Sequence, residues 1–229
     1  MTDSTSVALL FDFGGTLDAD GVPWSPRFHQ AYRAAGGTLD FAAFDPIFAA
    51  SDRALNRVPD IRTTGFRAAI ELQARLLVDL MPDGARAVEP GDIAARLHAQ
   101  ALATVHRNRR LLERLAGAHR LGVVSNFSGN LRPCLAELDL LRFFTVTADS
   151  ALVGASKPDP RIFQYALTAL ACSPKKAWMI GDNPEADIRP ATGMGMRTIW
   201  LAPLKRPLPQ GLAPTHRVER LTEIEPYLD

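Results

Sequence analysis

Four groups of polar residues interrupt an otherwise apolar pattern. "LLFDFGGT" runs a hydrophobic stretch into Asp12, then strips side chains away at Gly14 and Gly15 before Thr16. "LGVVSN" ends on Ser125 and Asn126, "GASKPDP" carries Lys157, and "AWMIGDN" ends at Asp182, with Asp187 five residues on. Two or three carboxylates, one hydroxyl and one ammonium suit a hard divalent cation and a phosphate. Mg²⁺ takes oxygen ligands and keeps several waters, so two carboxylates and a backbone carbonyl suffice. Lys157 and Ser125 would hold phosphate oxygens. The glycines let backbone amides come close enough to donate to a phosphate. Lys157 is the first lysine of the chain, and the prolines on either side of Asp159 restrict its loop.

Each group also has a plain structural reading. Asp12 could cap a turn, Ser125-Asn126 a helix, and "GDNPEAD" is a respectable turn and N-cap. What joins them is the element pattern. "SVALLFD" (6 to 12) is a buried strand bounded by Gly-Gly. After about residue 107, helix and strand alternate: "NRRLLERLAG" and "RLGVVS", "NLRPCLAELDLL" and "FFTVTA", "PRIFQYALTALA" and "KAWMIGD", "PEADIRPATG" and "RTIWLA". Such alternation predicts a Rossmann-like parallel sheet with helices on both faces. In open parallel sheets, ligands bind outside the carboxyl ends of the strands, which is where all four groups fall.

From Trp24 to Val105 no strand-like run occurs. Four helix patterns fill this part, started by Ser25 before Pro26, by Asp40, by Thr63 or Thr64, and by Glu89 or Asp92. The fold class expected is therefore α/β with an inserted all-helical cap: residues 1–17 and 107–229 as the core, 18–106 as the cap. Trp24 and His29 stand at the entrance to that cap. His98 and His106 are expected on the helix surface or in the core.

Bulk composition sets outer bounds. Of the 229 residues, 47% are hydrophobic and 22% charged, as in a globular protein with a sizeable core. A net charge of +1 gives no general pull toward nucleic acid or acidic membranes. No apolar run approaches the roughly 20 residues that span a bilayer. Cys134 and Cys172 lie in no metal-binding spacing and are expected buried and reduced, in a cytoplasmic protein. "MTDSTS" lacks the basic start of a signal peptide. The oligomeric state stays open.

"DFGGT", "VVSN", "SKPDP" and "GDNPEAD", in this order, resemble the four motifs of the haloacid dehalogenase-like hydrolase superfamily, and the helical insertion resembles the cap of its phosphatase branch. The resemblance implies a Mg²⁺-dependent phosphatase acting on a small phosphorylated metabolite through an aspartyl-phosphate. Asp12 would be the nucleophile, and Ser125 and Lys157 would bind the phosphoryl group. Gly15, Thr16 and Asn126 would line the phosphate site, Thr16 also bracing the loop. Asp12, the carbonyl of Gly14, Asp182 and Asp187 would hold the metal, Asp187 through water or by orienting Lys157.

One position departs from the pattern. Phosphatases of this family carry an Asp two residues after the nucleophile, where this chain has Gly14. General acid–base catalysis contributes about 10²–10⁴-fold, roughly 3–5 kcal/mol. The dehalogenases also lack this Asp, but without a "GDN" motif; the phosphonate-cleaving branch needs a cap lysine, and residues 18–106 contain none. Three readings follow. The substrate has a good leaving group; or Asp18, Asp20, His29 or a group on the substrate gives the proton; or the protein turns over weakly and binds a phosphorylated ligand or a protein partner. On these readings Gly14→Asp should restore a proton donor.

Overall fold

The computed structural model describes residues 7–228. The segment "MTDSTS", on which the signal-peptide expectation rests, lies outside them. The sheet is built from β1 (Ala8–Phe11), β2 (Arg120–Ser125), β3 (Val146–Asp149), β4 (Ala177–Gly181), β5 (Arg197–Leu201) and β6 (His216–Val218). All neighbours pair in parallel, in the order β3-β2-β1-β4-β5-β6. β1 is central, with Phe11 opposite Val123 on one side and Ile180 on the other, so the residues that follow these strands emerge at one edge.

Alternation along β1 divides the core. Leu9 and Phe11 pack on one face, with Leu112 and Leu115 of α4 (Pro90–Ala118) and Leu135 of α5 (Leu131–Glu137). Ala8 and Leu10 pack on the other, with Ile162, Phe163 and Ala166 of α7 (Pro160–Ala169) and Ala191 of α8 (Arg189–Gly193). A short α6 (Ser150–Val153) follows β3. The fold is thus α/β, with helices on both faces as the alternation predicts.

Between β1 and β2 lie α1 (Trp24–Ala34), α2 (Phe41–Leu55), α3 (Phe66–Asp79) and the first half of α4. α1 packs on α2, α2 on α3, α3 on α4 and α4 on α1, closing a four-helix unit. α4 runs unbroken through residue 107, where the sequence pattern splits it in two. The reason is visible in its residues: no Gly or Pro stands between Asp92 and Ala116. The buried positions Ile93, Leu97, Ala101, Val105, Asn108, Leu112 and Leu115 also keep one face throughout.

Three local expectations need correction. α1 begins at Trp24, with Pro23 in the N-cap position and no side-chain cap, so Ser25 is no cap; its hydroxyl donates to Asp45 of α2 at 2.5 Å. Pro26 is tolerated because first-turn N–H groups have no intrahelical partner. α3 begins after Gly65, not Thr63 or Thr64, and its Arg67 N–H is satisfied from the core by Glu137 at 3.0 Å. Cys134 is buried as expected, whereas Cys172 is half-buried. Asp40 does cap α2, accepting from the Ala43 N–H. No helix among the described residues is long and apolar enough to cross a membrane.

Candidate active site

β1 delivers Asp12 to the carboxyl edge of the sheet, where its N–H bonds the Ile180 carbonyl at 2.9 Å. The chain then turns tightly over Phe13–Leu17. Gly15 has a φ of +91°, and a Cβ there would lie 2.7 Å from the Asp182 carboxylate. Glycine is required both by the backbone and by the close approach. β2 ends on Ser125, β4 on Gly181 before Asp182, and the turn after β4 carries Asp187. The loop before α7 supplies Lys157.

These side chains form one buried cluster. Lys157 Nζ donates to Asp12 Oδ1 at 2.5 Å and to Asp187 Oδ1 at 2.6 Å. Ser125 Oγ donates to the same Asp12 oxygen at 3.1 Å, leaving Asp12 Oδ2 without a hydrogen-bond partner among the described residues. Thr16 Oγ1 donates to Asp182 Oδ1 at 3.3 Å, and Asp187 Oδ2 accepts from the Asn183 N–H. Thr16 therefore braces Asp182. Asn126 has both ends of its amide on the Lys157 backbone, at 2.9 and 2.7 Å, and so positions Lys157. It still lines the cavity beside Asp12.

The electrostatics follow from burial. Asp12, Asp182 and Asp187 bring carboxylate oxygens within 4.8 Å of one another, all three buried. One ammonium faces them, leaving an excess of about two negative charges. Burial, then repulsion from Asp12 and Asp187, holds Asp182 well above the ordinary carboxylate range. Burial pushes Asp187 up to about 6 against the attraction of Lys157. Desolvation works against the charge on Lys157, but Asp12 and Asp187 outweigh it and hold the ammonium above its usual range. An anionic oxygen cradle with this surplus fits a hard divalent cation. Its candidate ligands are Asp12, Asp182 and, through its carbonyl, Gly14.

The cluster opens into a cavity of about 290 Å³ that reaches up between the cap helices. Trp24 fills the place that a side chain at position 14 would take: a Cβ on Gly14 would lie 2.0 Å from Trp24 Nε1 and 2.6 Å from its Cδ1. The indole rests on Phe28 and Phe66, with the Arg27 guanidinium 4.9 Å from the ring centre.

The other residues named as stand-in acids are engaged elsewhere. Asp18 is fully buried, accepting from the Gly15 N–H and Arg27, both at 2.7 Å. Asp20 pairs with Arg107 and accepts from the Leu221 N–H. His29 bonds the Leu39 carbonyl and packs on Phe41 and Phe44. None of the three lines the cavity. His98 lies against Phe66.

Over residues 7–195 the chain matches the family described as haloacid dehalogenase-like hydrolase. The chain belongs to this family. Among curated relatives of this hydrolase, phosphoserine phosphatase of Thermus thermophilus is 39% identical over 93 residues, 41% of this chain and 37% of that protein. Pyrimidine 5'-nucleotidase YjjG of Escherichia coli is 36% identical over 121 residues, 52% of this chain and 53% of that protein. The matched stretches thus span about half, or less, of the length of these relatives. The solved structure of HAD-hydrolase YfnB from Bacillus subtilis, bound to magnesium, superposes with a TM-score of 0.60 at 18% identity. It covers 99% of this chain and all of that one, which shows a shared fold.

Several lining residues carry no local sequence signal. Asp52, Phe48 and Gln73 reach the cavity because α2 and α3 pack over the sheet edge. Asp149, at the end of β3, accepts from the N–H groups of Gly129, Leu131 and Ala151 and so holds the loop after Ser125. Cys134 also lines the cavity, but burial, with Glu137 and Asp149 nearby, pushes its thiol up, so it is no nucleophile.

Proposed function

We propose that this hydrolase is a Mg²⁺-dependent phosphatase that cleaves monoesters of a small phosphorylated metabolite through an aspartyl-phosphate on Asp12. In this reading 1–17 and 107–229 form the catalytic core and 18–106 the cap. The two free thiols agree with a cytoplasmic setting. The observation that carries the reading is the buried cluster of Asp12, Ser125, Lys157, Asp182 and Asp187 at the mouth of one cavity.

In the first step an Asp12 oxygen forms a bond to phosphorus, and the ester P–O bond breaks, its electron pair leaving with the alcohol oxygen. Ser125 and Lys157 hold the phosphoryl oxygens. A divalent cation held by Asp12, Asp182 and the Gly14 carbonyl would offset negative charge on phosphate. The step that distinguishes this chain is protonation of the leaving oxygen. Trp24 occupies the seat of the missing acid, and an indole N–H donates a hydrogen bond without giving up its proton. Esters with stable leaving anions, such as aryl or acyl phosphates, are therefore the favoured substrates. The same gap deprives the hydrolytic water of a base, so breakdown of the aspartyl-phosphate limits turnover.

The test is a panel of phosphate monoesters assayed with Mg²⁺ for wild type and Asp12→Asn. Hydrolysis of aryl well above alkyl esters, abolished in Asp12→Asn, is expected. Tight binding across the panel without phosphate release would instead establish a binding protein.

A further inference from the structure

The cap half of the cavity has its own chemistry. Four rings, those of Trp24, Phe28, Phe48 and Phe66, form its walls. Two side chains with acceptor oxygens also line it, Asp52 exposed and Gln73 buried. The Asp52 carboxylate makes no ion pair or hydrogen bond among the described residues, and Arg53 acts on it only at longer range. Gln73 is 4% exposed; its Nε2 donates to Ser51 Oγ at 2.8 Å, and Ser51 donates onward to the Phe48 carbonyl at 2.8 Å. Because Ser51 has spent its proton, the Gln73 amide must present its N–H₂ to it, which fixes the orientation. Gln73 Oε1 is left as a buried acceptor with no partner among the described residues. That oxygen has almost no surface open to the cavity.

The cations are as telling. Among the described residues Lys157 is the one Lys or Arg that lines the cavity, and it is held between Asp12 and Asp187. A substrate with a carboxylate or second phosphate would bring an anion toward Asp52 with no Lys or Arg of the cavity lining beside it to offset the repulsion. An ammonium would meet a carboxylate and aromatic rings, which attract cations.

We propose that the cap half of this cavity selects phosphate monoesters whose apolar, ring-sized body carries an amine, and rejects those carrying a second anionic group. The proposal rests on the phosphatase reading for its first half, the phosphate at Asp12. Asp52 supplies the charge, and the rings enclose the body.

Three aryl phosphates with near-equal leaving groups isolate this selection: phenyl phosphate, O-phosphotyramine, and phosphorylated para-hydroxyphenylpropionate. With Mg²⁺, kcat/KM is expected to favour the amine over the neutral ester by about tenfold and the neutral over the carboxylate by a similar factor. Asp52→Asn should bring the amine-to-neutral ratio close to one. Calorimetric binding of the same esters to Asp12→Asn should give the same order without relying on turnover. Equal values, a carboxylate preference, or a ratio unmoved by Asp52→Asn overturns the proposal while leaving the phosphatase reading standing. The ordered binding without hydrolysis of any ester upholds the selection and overturns the phosphatase. Neither binding nor hydrolysis overturns both.

Discussion

Gly14→Asp would place a carboxyl where the resemblance to the family's phosphatases implies an acid, and the sequence alone expects it to restore proton donation. The structure reverses that expectation. The new Cβ would lie 2.0 Å from Trp24 Nε1, far inside van der Waals separation. The indole would have to leave its packing on Phe28 at 5.8 Å and Phe66 at 6.1 Å, and the Arg27 guanidinium above it. Overpacking costs about 1–3 kcal/mol, and separating each aromatic pair costs about 0.5–1.5 kcal/mol more. A total of about 2–6 kcal/mol corresponds to a fall in Tm of about 4–24 °C for a chain of this size. Alkyl phosphate hydrolysis should not rise in this variant. In Gly14→Asp/Trp24→Ala the seat is vacated. Its Tm should then exceed the sum of the single effects by an amount worth about 1–3 kcal/mol, and alkyl phosphate hydrolysis should rise about tenfold or more. Thermal melts and turnover on an alkyl and an aryl phosphate for the four proteins decide it. A Gly14→Asp single variant with unchanged Tm and faster alkyl hydrolysis would refute the claim that Trp24 holds the seat.

Mg²⁺ should bind wild type in calorimetric titration and bind Asp182→Ala far more weakly; equal affinities would contradict the metal site. In EDTA the carboxylate cluster should make stability pH-dependent. Asp187 titrates near 6 folded against an ordinary 3.8, so the folded state binds the extra proton between these values. This contribution to stability therefore falls as pH rises through that window and is regained from pH 7 down to 5. Melts with excess Mg²⁺ should lose or invert that trend, and identical pH profiles with EDTA and Mg²⁺ would count against the cluster as a cation site. Gly21→Ala should lower Tm by several degrees, since φ is +73° and a Cβ would lie 2.6 Å from the Leu201 carbonyl oxygen; an unchanged melt would mean the turn relaxes freely.

The sheet and the polar residues at its edge were legible in the sequence because both are local signals. Apolar runs that stop at Asp12, Ser125 and Asp182 mark strand ends, and parallel pairing in register brings strand ends together. Helix starts read less well. Ser25 and Thr64 have capping side chains, but Ser25 is drawn to Asp45, and the Thr63 and Thr64 hydroxyls both donate back to the Asp60 carbonyl. A competing local turn overrode the local preference at Thr64, and a tertiary partner did so at Ser25. The stand-in acids failed for the same reason: Asp18 and Asp20 look free in sequence, yet Arg27 and Arg107 claim them. The Trp24 indole over Gly14 was out of reach, because ten residues of chain separate them and only the return of α1 across the site makes them neighbours. Asp52 and Gln73 lie on separate cap helices and share a cavity only through helix packing.

The most direct test of the central claim is acid quench of wild type during turnover of an aryl phosphate with Mg²⁺, followed by peptide mass analysis. With a good leaving group and no base at position 14, phosphorylation should outrun hydrolysis. The account predicts a burst of phenol approaching one per active site and a hydroxylamine-sensitive phosphoryl group on the peptide bearing Asp12, both absent from Asp12→Asn. Steady hydrolysis with no burst and no adduct, or hydrolysis that survives Asp12→Asn, would contradict it.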